Sequence, residues 1–298
     1  MSSANAGPVL VVGATGRIGR SVVAELQHLG APVRALTRRP DSAALPSGVE
    51  IAAGDLTAPA SLDAALRGVR AVFMVWTAPL PAAAAAIERI AGATSRVVYL
   101  SAPFRTPHPF FQQPNPMRDL HAEVERLLSI SGVATTIIRP GMFASNALHW
   151  WAPQIREGDV VRWPYGAVET APIDERDIAT AAARVLLDDR HAGADFVLTG
   201  PEGLTQAGQV HAIGDAIGRT LHFEELSADE FRRESAGTWP PPVLDMLLSA
   251  WGAAVGYPAF VTSAVKEITG TPARTFGSWA ADHAAAFRRE HPRTRTAP

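Results

Sequence analysis

The chain has 298 residues, 47% of them hydrophobic, which is enough to bury the core of one large α/β domain, alone or with a smaller appendage. A net charge of −2, with no long basic run, argues against nucleic acid as a partner. The lack of cysteine excludes disulfides, zinc–thiolate sites, iron–sulfur clusters and a thiol nucleophile.

Signals for membrane targeting and for metal binding are weak. Residues 1–7 are small and polar, and the first apolar run is only five residues long, so we expect no signal peptide, no membrane contact and a cytoplasmic location. The histidines show no paired spacing with acids, so we expect no metal site.

The first predicted strand, residues 8–12, leads directly into three glycines spaced three apart, Gly13, Gly16 and Gly19. Gly13 allows a sharp turn, Gly16 lets backbone N–H groups approach a pyrophosphate, and Gly19 lets the next helix pack closely on the sheet. The phosphates would lie at the N-terminus of the amphipathic helix that follows. This pattern predicts a dinucleotide-binding loop. The same loop contains Thr15, Arg17 and Ile18.

The second predicted strand, residues 33–37, ends in Arg38 and Arg39. An acid that would hold the 2′-hydroxyl of an adenosine ribose is missing at this point of the fold. Planar guanidinium groups suit a 2′-phosphate, so the cofactor is predicted to be NADP(H) and not NAD(H). An ordinary solvated turn is the alternative for this arginine pair.

Strands and helices keep alternating after this first unit. Strands are predicted at residues 49–53, 71–75, 97–100, 135–138 and 195–198, and helices at 61–66, 82–91, 119–130 and 177–187. The run at 71–75 is apolar almost throughout, which is typical of a strand buried on both faces of a parallel sheet. We therefore predict an α/β fold with a Rossmann-like, doubly wound parallel sheet.

The dinucleotide-binding core is expected to span residues 7–150 and to be completed by strands and helices from 171–198. A smaller, mainly helical region, residues 151–170 and 199–290, is expected to cover the substrate. Its predicted elements are helices at 205–217, 240–257 and 277–289 and a strand at 221–223. The polar residues 291–298 are expected to form a disordered tail.

Two segments interrupt the alternation, and both would lie at the carboxyl edge of the sheet, where open α/β folds bind ligands. Residues 102–116 hold five prolines together with His108 and Phe110, which is typical of a lid over a pocket. Residues 141–163 include the adjacent Trp150 and Trp151. These tryptophans line either a hydrophobic substrate pocket or a core between subdomains.

Several motifs make the chain similar to the NmrA-like atypical short-chain dehydrogenase/reductases over nearly its whole length. They are the glycine loop at 13–19, the Gly-Asp-Leu at 54–56, the helix with Glu125, the Arg-Pro-Gly-Met-Phe at 139–143, the Asp-Glu-Arg-Asp-Ile-Ala at 174–179, the Leu-Thr-Gly-Pro-Glu at 198–202, and residues 269–276. The resemblance implies that Asp55 and Leu56 border the adenine and that the loop at 140–143 flanks the nicotinamide. The cofactor set predicted at the strand ends is therefore Asp55, Leu56, Thr77, Pro140, Met142 and Phe143.

The resemblance also exposes a departure at the catalytic position. The wider superfamily uses a tyrosine as general acid with a lysine four residues later, and these positions fall on Met117 and His121 here. A thioether cannot donate a proton, so Met117 is assigned to the substrate wall. Ser101 matches the family serine that polarises a carbonyl, and His121 can hold the cofactor ribose or relay a proton. Both Ser101 and His121 also have purely structural interpretations.

These observations favour an NADPH-dependent ketoreductase acting on an aromatic or polyketide-like ketone, similar to the tyrosine-less angucyclinone ketoreductases of the simocyclinone type. Its proton would come from His121, water or the substrate. A non-catalytic NADP(H)-sensing regulator of the NmrA kind is the first alternative, and a quinone or azo reductase is the second.

Overall fold

A computed structural model gives the structure of the protein and describes residues 7–289, apart from the side chain of Pro116. The expected disordered tail therefore lies outside the described residues. The strands of this range are β1 (Val9–Val12), β2 (Val33–Thr37), β3 (Glu50–Ala53), β4 (Ala71–Val75), β5 (Arg96–Leu100), β6 (Ala134–Pro140), β7 (Val160–Pro164), β8 (Glu169–Thr170), β9 (Asp195–Leu198), β10 (Leu204–Thr205) and β11 (His222–Leu226).

The α-helices of the same range are α1 (Arg17–His28), α2 (Asp63–Leu66), α3 (Ala83–Ala93), α4 (Pro116–Ile130), α5 (Asn146–Trp150), α6 (Ala152–Glu157), α7 (Glu175–Leu187), α8 (Gln206–Ile217), α9 (Ala228–Glu234), α10 (Pro241–Ala254), α11 (Ala264–Thr269), α12 (Phe276–Asp282) and α13 (Ala284–Phe287). Short 3-10 turns lie at Pro40–Ser42, Pro59–Leu62, Leu80–Ala82, Pro109–Phe111 and Asp189–His191.

Seven strands form one parallel sheet in the order β3-β2-β1-β4-β5-β6-β9. The strand order reverses between β1 and β4, and open α/β sheets bind ligands in the crevice at such a point. The Rossmann-like, doubly wound fold predicted from the sequence is thereby confirmed.

Helices cover both faces of this sheet. Apolar side chains of α1, α7 and α11 form one core cluster with one face of the strands, and those of α2, α3 and α4 form a second cluster with the other face. A third cluster, built largely from aromatic residues of α5, β7, α10 and α12, forms the core of the smaller region.

The differences from the predicted elements have local causes. Helix α4 begins at Pro116 because Asn115 caps it, accepting the N–H of Arg118 at 2.8 Å. Strands β7, β8 and β10 were not predicted, since they pair only in two-stranded ladders between distant segments. The predicted helix at 277–289 is divided into α12 and α13 at His283.

The start of α1 is packed very closely against the turn that follows β1. Gly13 has a φ of +82°, which favours glycine, and its carbonyl accepts the N–H of Gly16 at 3.0 Å. A Cβ on Gly19 would lie only 2.1 Å from the Gly13 carbonyl oxygen. Only glycine therefore permits this approach of helix and turn.

A carboxylate cluster at the start of α7 holds the segment that follows α11. Asp174 caps α7 through the N–H of Arg176 and pairs with Arg274 at 2.8 Å. Asp177 is buried and accepts the N–H of Arg274 at 2.8 Å. Burial and the neighbouring Asp174 carboxylate raise the pKa of Asp177 from 3.8 to about 6, although that N–H acts in the opposite direction.

We expect Gly19→Ala to destabilise the fold by about 3 kcal/mol, because the new methyl group forces α1 away from the turn. Gly92→Ala is the matched control, because a Cβ at this position of α3 meets no atom within 4 Å. This control should be stabilised by about 0.5 to 1 kcal/mol. Urea denaturation measures both effects, and equal stability of the two variants would contradict the packing argument.

The raised pKa of Asp177 predicts a pH-dependent difference between the wild type and Asp177→Asn. The folded state binds this proton more tightly than the unfolded state, so the stabilisation is present below about pH 4 and is lost as the pH rises through about 6. Relative to Asp177→Asn, the wild type should therefore lose about 2 to 3 kcal/mol between pH 4 and pH 7. Denaturation curves across this range measure it, and a constant difference would refute the assignment.

Candidate functional site

A cleft of about 670 Å³ opens at the carboxyl edge of the sheet beside the glycine loop, and we refer to it as the dinucleotide cleft. Most residues predicted to bind the cofactor line it together. They are Gly13, Thr15, Gly16, Arg17, Ile18, Gly19, Arg38, Arg39, Asp55, Leu56, Thr77 and Phe143. Their convergence agrees with the predicted binding role, which itself stays a prediction.

Two predicted cofactor residues do not line this cleft. Pro140 is buried at the end of β6, where the chain is part of the sheet. Met142 lines a separate small cavity, and its sulfur accepts a hydrogen bond from the Asn146 amide at 3.1 Å. Neither residue lines the dinucleotide cleft in this structure, so their role at the cofactor stays a prediction.

The cleft carries four arginines and only one acid, Asp55. Arg38 and Arg39 are exposed, and within residues 7–289 neither guanidinium has a hydrogen-bonded or ion-paired partner. The N–H and hydroxyl groups of Thr57 and, to a smaller extent, the charge of Arg38 lower the pKa of Asp55, so its carboxylate stays ionised. Such a pair of unoccupied guanidinium groups fits a phosphate dianion.

The other two arginines have partners in the protein. The guanidinium of Arg17 donates to Ser145 and lies 3.1 Å from Nε2 of His149. Arg20 donates to the backbone carbonyls of Thr15 and Ala44, and thereby holds the segment after β2 close to α1. Arg17 thus connects the start of α1 to residues 145 and 149, and Arg20 connects α1 to the glycine loop and to the segment after β2.

The fit to a dinucleotide rests on the shape and charge of this cleft. The N-cap residue Gly16 has no side chain that caps α1, so backbone N–H groups of the first turn can bind a diphosphate. The unpartnered arginines lie at the end of β2, where the adenosine ribose of a dinucleotide would be. The residues present therefore fit NADP(H).

Ser101 belongs to a buried ion network at the end of β5. Its hydroxyl donates to Glu125, which also forms a two-pronged ion pair with Arg139 at 2.6 and 2.9 Å. Arg139 donates in addition to Asp195 and to the Ala102 carbonyl. Burial alone would lower the pKa of Arg139, but the bonds to Glu125 and Asp195 outweigh it and raise the pKa.

Sequence reasoning did not assign this network to the site. A single arginine near the end of the uncharged strand β6 was the available signal, because an arginine is almost never fully buried without partners. The Ser101 hydroxyl proton is engaged with Glu125, so a role of Ser101 at a substrate carbonyl stays a prediction.

His121 is hydrogen-bonded to a buried tyrosine. Its Nδ1 lies 2.7 Å from the hydroxyl of Tyr99, and Tyr99 is fully buried. Burial and the nearby Glu125 raise the pKa of Tyr99, so Tyr99 keeps its proton and donates it to Nδ1. The hydrogen of neutral His121 is then on Nε2, and burial lowers the pKa of the imidazole, which keeps it neutral.

The predicted lid, residues 102–116, is attached to the segment at 255–263, which we call the C-terminal strap. His108 is buried, and its Nδ1 accepts the N–H of Phe110, so Nε2 carries the hydrogen and donates to the Pro258 carbonyl at 3.0 Å. His108 and Phe110 line the same small cavity as Met142. Met117 is half exposed at the start of α4 and lines neither this cavity nor the dinucleotide cleft.

The assignment of Trp150 and Trp151 to a substrate wall is wrong in this structure. Trp151 is fully buried, Trp150 is 8% exposed, and both pack with Trp163 and Trp251 in the core of the smaller region. Ring centroids in this cluster lie 5.5 to 6.3 Å apart. The alternative, a core between subdomains, describes them correctly.

Neither a metal-binding group of side chains nor a membrane-spanning helix is seen in the part of the chain that the structure describes. No three His, Asp or Glu side chains there are grouped so as to hold a metal ion. No helix between residues 7 and 289 combines the length and apolar character needed to cross a membrane.

The chain is similar over most of its length to several known reductases. A (4-alkanoyl-5-oxo-2,5-dihydrofuran-3-yl)methyl phosphate reductase from Streptomyces griseus is 40% identical over 284 residues, which are 94% of this chain and 99% of that protein. An NAD(P)H azoreductase from Xenophilus azovorans is 34% identical over 292 residues, covering 94% and 99%. The crystal structure of an NADPH-dependent quinone oxidoreductase from Escherichia coli superposes with a TM-score of 0.78 at 26% identity, covering 92% and 98%.

The family follows from the extent of these matches. The model of the NmrA-like family matches residues 5–243, well over half of the chain. The resemblance drawn from the glycine loop and the strand-end motifs is therefore confirmed. The chain belongs to the NmrA-like family.

Proposed function

We propose that the protein is an NADPH-dependent reductase of a small molecule in which the reduced group is conjugated with a carbonyl or an equivalent electron-withdrawing group. The observation that carries this proposal is the dinucleotide cleft with its unpartnered Arg38 and Arg39. The relatives support it, because they are named a (4-alkanoyl-5-oxo-2,5-dihydrofuran-3-yl)methyl phosphate reductase, an azoreductase and a quinone oxidoreductase.

The chain's own residues divide the binding of the cofactor between them. Backbone N–H groups of the glycine loop would hold the diphosphate, and Arg38 and Arg39 would hold the 2′-phosphate. Asp55 and Leu56 would border the adenine, with Thr77 and Phe143 further along the cleft. NADPH, when bound, supplies a hydride.

The cleft contains few groups that could donate the proton required after hydride transfer. Among the described residues that line it, none is tyrosine, lysine or histidine. Ser101 is engaged with Glu125, and His121 is neutral with its hydrogen on Nε2. His121 lines neither the cleft nor the small cavity in this structure, and as a neutral imidazole it is a poor source of a full proton.

The shortage of proton donors in the cleft determines which class of substrate the protein can reduce. Reduction of an isolated ketone produces a localised, strongly basic alkoxide, which requires an acid at the moment of reaction. Reduction of a quinone, an azo group or a carbonyl-conjugated double bond spreads the charge over several atoms, so water can supply the proton afterwards. An aromatic polyketide ketone is also a possible substrate, because its own neighbouring hydroxyl group can supply the proton in place of the protein.

We expect Arg38→Ala to weaken the binding of NADPH about 10- to 100-fold and to leave NADH binding nearly unchanged, because one charge-assisted bond to the 2′-phosphate is lost. Isothermal titration calorimetry with both nucleotides measures the two affinities. Arg233→Ala on α9, outside the lining of the cleft, controls for the loss of a positive charge. Equal weakening of NADPH and NADH would refute the assignment of Arg38.

The proposed reaction is tested by following NADPH oxidation with a panel of acceptors. We expect turnover of a quinone, an azo dye or an α,β-unsaturated lactone, and at least about 100-fold lower kcat/KM with a simple aliphatic ketone. Tight NADP(H) binding without turnover of any acceptor would overturn the proposal in favour of a cofactor-sensing regulator.

A further inference from the structure

A small enclosed cavity lies between the lid and the C-terminal strap, and we refer to it as the aromatic cavity. Its volume is about 10 Å³, room for roughly one water molecule. Gly141 and Met142 line it, while the next residue of the same loop, Phe143, lines the dinucleotide cleft. The two spaces are thus adjacent along the loop that follows β6.

Aromatic side chains fill most of the space around this cavity. Phe111 makes edge-to-face contacts with Phe110 and Phe260, with ring centroids 5.1 and 6.4 Å apart. The tip of the Phe111 ring lies 3.8 Å from the position that a Cβ on Gly141 would occupy. Because a side chain and not the backbone closes the cavity here, rotation of the partly buried Phe111 would enlarge it.

The polar groups at the edge of the cavity already have partners. Thr199 accepts the N–H of Thr262 at 2.9 Å, and Glu169 accepts the N–H of Ala259 at 3.2 Å. No lining residue has a buried polar side-chain atom without a hydrogen bond. An apolar group can therefore enter without breaking a hydrogen bond and without leaving a buried polar side-chain atom unpaired.

We propose that the aromatic cavity is the closed form of a subsite for an apolar substituent of the substrate, an alkyl chain or an aromatic ring, and that Phe111 is the side chain that moves to admit it. That the group bound here belongs to a substrate rests on the proposed function. The binding of apolar groups in the cavity does not depend on turnover. His108 supports the arrangement, since its Nε2 joins the lid to the strap through the Pro258 carbonyl while its Nδ1 holds the lid backbone at Phe110.

Binding is tested first, without a turnover assay. The chain has only five methionines, so the methyl group of Met142 can be followed by NMR in protein labelled at methionine methyl groups. We expect toluene to shift the Met142 signal saturably in the wild type. The affinity should rise at least about fivefold in Phe111→Ala, which removes the closing ring, and fall about as much in Phe111→Trp, which fills the space.

Phe196→Ala is the matched control, because Phe196 is a partly buried ring on β9 that packs against His191 and does not line the cavity. Its affinity for toluene should equal that of the wild type. Phe111→Leu replaces Phe111→Ala if the smaller side chain prevents folding. No shift of Met142 in the wild type, or equal affinities in Phe111→Trp and the wild type, would overturn the proposal.

The second test uses 1,4-benzoquinones that carry one n-alkyl chain of one, four or seven carbons. We expect kcat/KM of the wild type to rise with chain length, by up to about fourfold per buried methylene, and the preferred chain to become longer in Phe111→Ala. Turnover with the same chain-length profile in both proteins would contradict the subsite. No turnover of any quinone, azo dye or α,β-unsaturated lactone, with Met142 still responding to toluene, would contradict the proposed function and leave the subsite standing.

Discussion

The close approach of α1 to the turn after β1 is the constraint on which the site depends. No Cβ fits between Gly19 and the Gly13 carbonyl, so the first turn of the helix lies directly at the reversal point of the sheet. A helix N-terminus attracts anions through its free N–H groups and its dipole. The backbone therefore sets the place for a diphosphate, and in the proposed function Arg38 and Arg39 would add the preference for a further phosphate.

Buried charge holds the end of β5 and the start of the lid in place. Arg139 joins α4 and β9 through Glu125 and Asp195, and it also binds the Ala102 carbonyl where the lid begins. Removing one member of such a network leaves an unpaired buried charge, which is far more costly than the pair itself. The lid thus starts from a rigid point and is held at its centre by the bond between His108 and the Pro258 carbonyl. The Phe110 and Phe111 side chains, just beyond this second attachment, carry no polar group, so rotation of their rings breaks no hydrogen bond.

These features give the site a consistent chemical character. It has strong elements for holding an anionic cofactor and apolar walls, but the described lining contains no tyrosine–lysine acid. The bond from Tyr99 leaves His121 with a hydrogen-bond donor instead of a mobile proton. Such a site depends on the electronic character of its substrate, and this dependence links the proposed conjugated acceptor to the proposed apolar subsite.

The sequence by itself determined the sheet, the glycine loop, the arginine pair and most of the cleft lining. Each of these follows from local pattern: apolar strands, glycine spacing, and side chains that directly follow a parallel strand and so must meet at one edge. Tertiary structure alone decided that Trp150 and Trp151 are core, that Ser101 and His121 are engaged with Glu125 and Tyr99, and that a cavity lies beneath the lid. These outcomes depend on contacts such as that between His108 and Pro258, which are 150 residues apart, and hydrophobic periodicity carries no information on which distant segments meet.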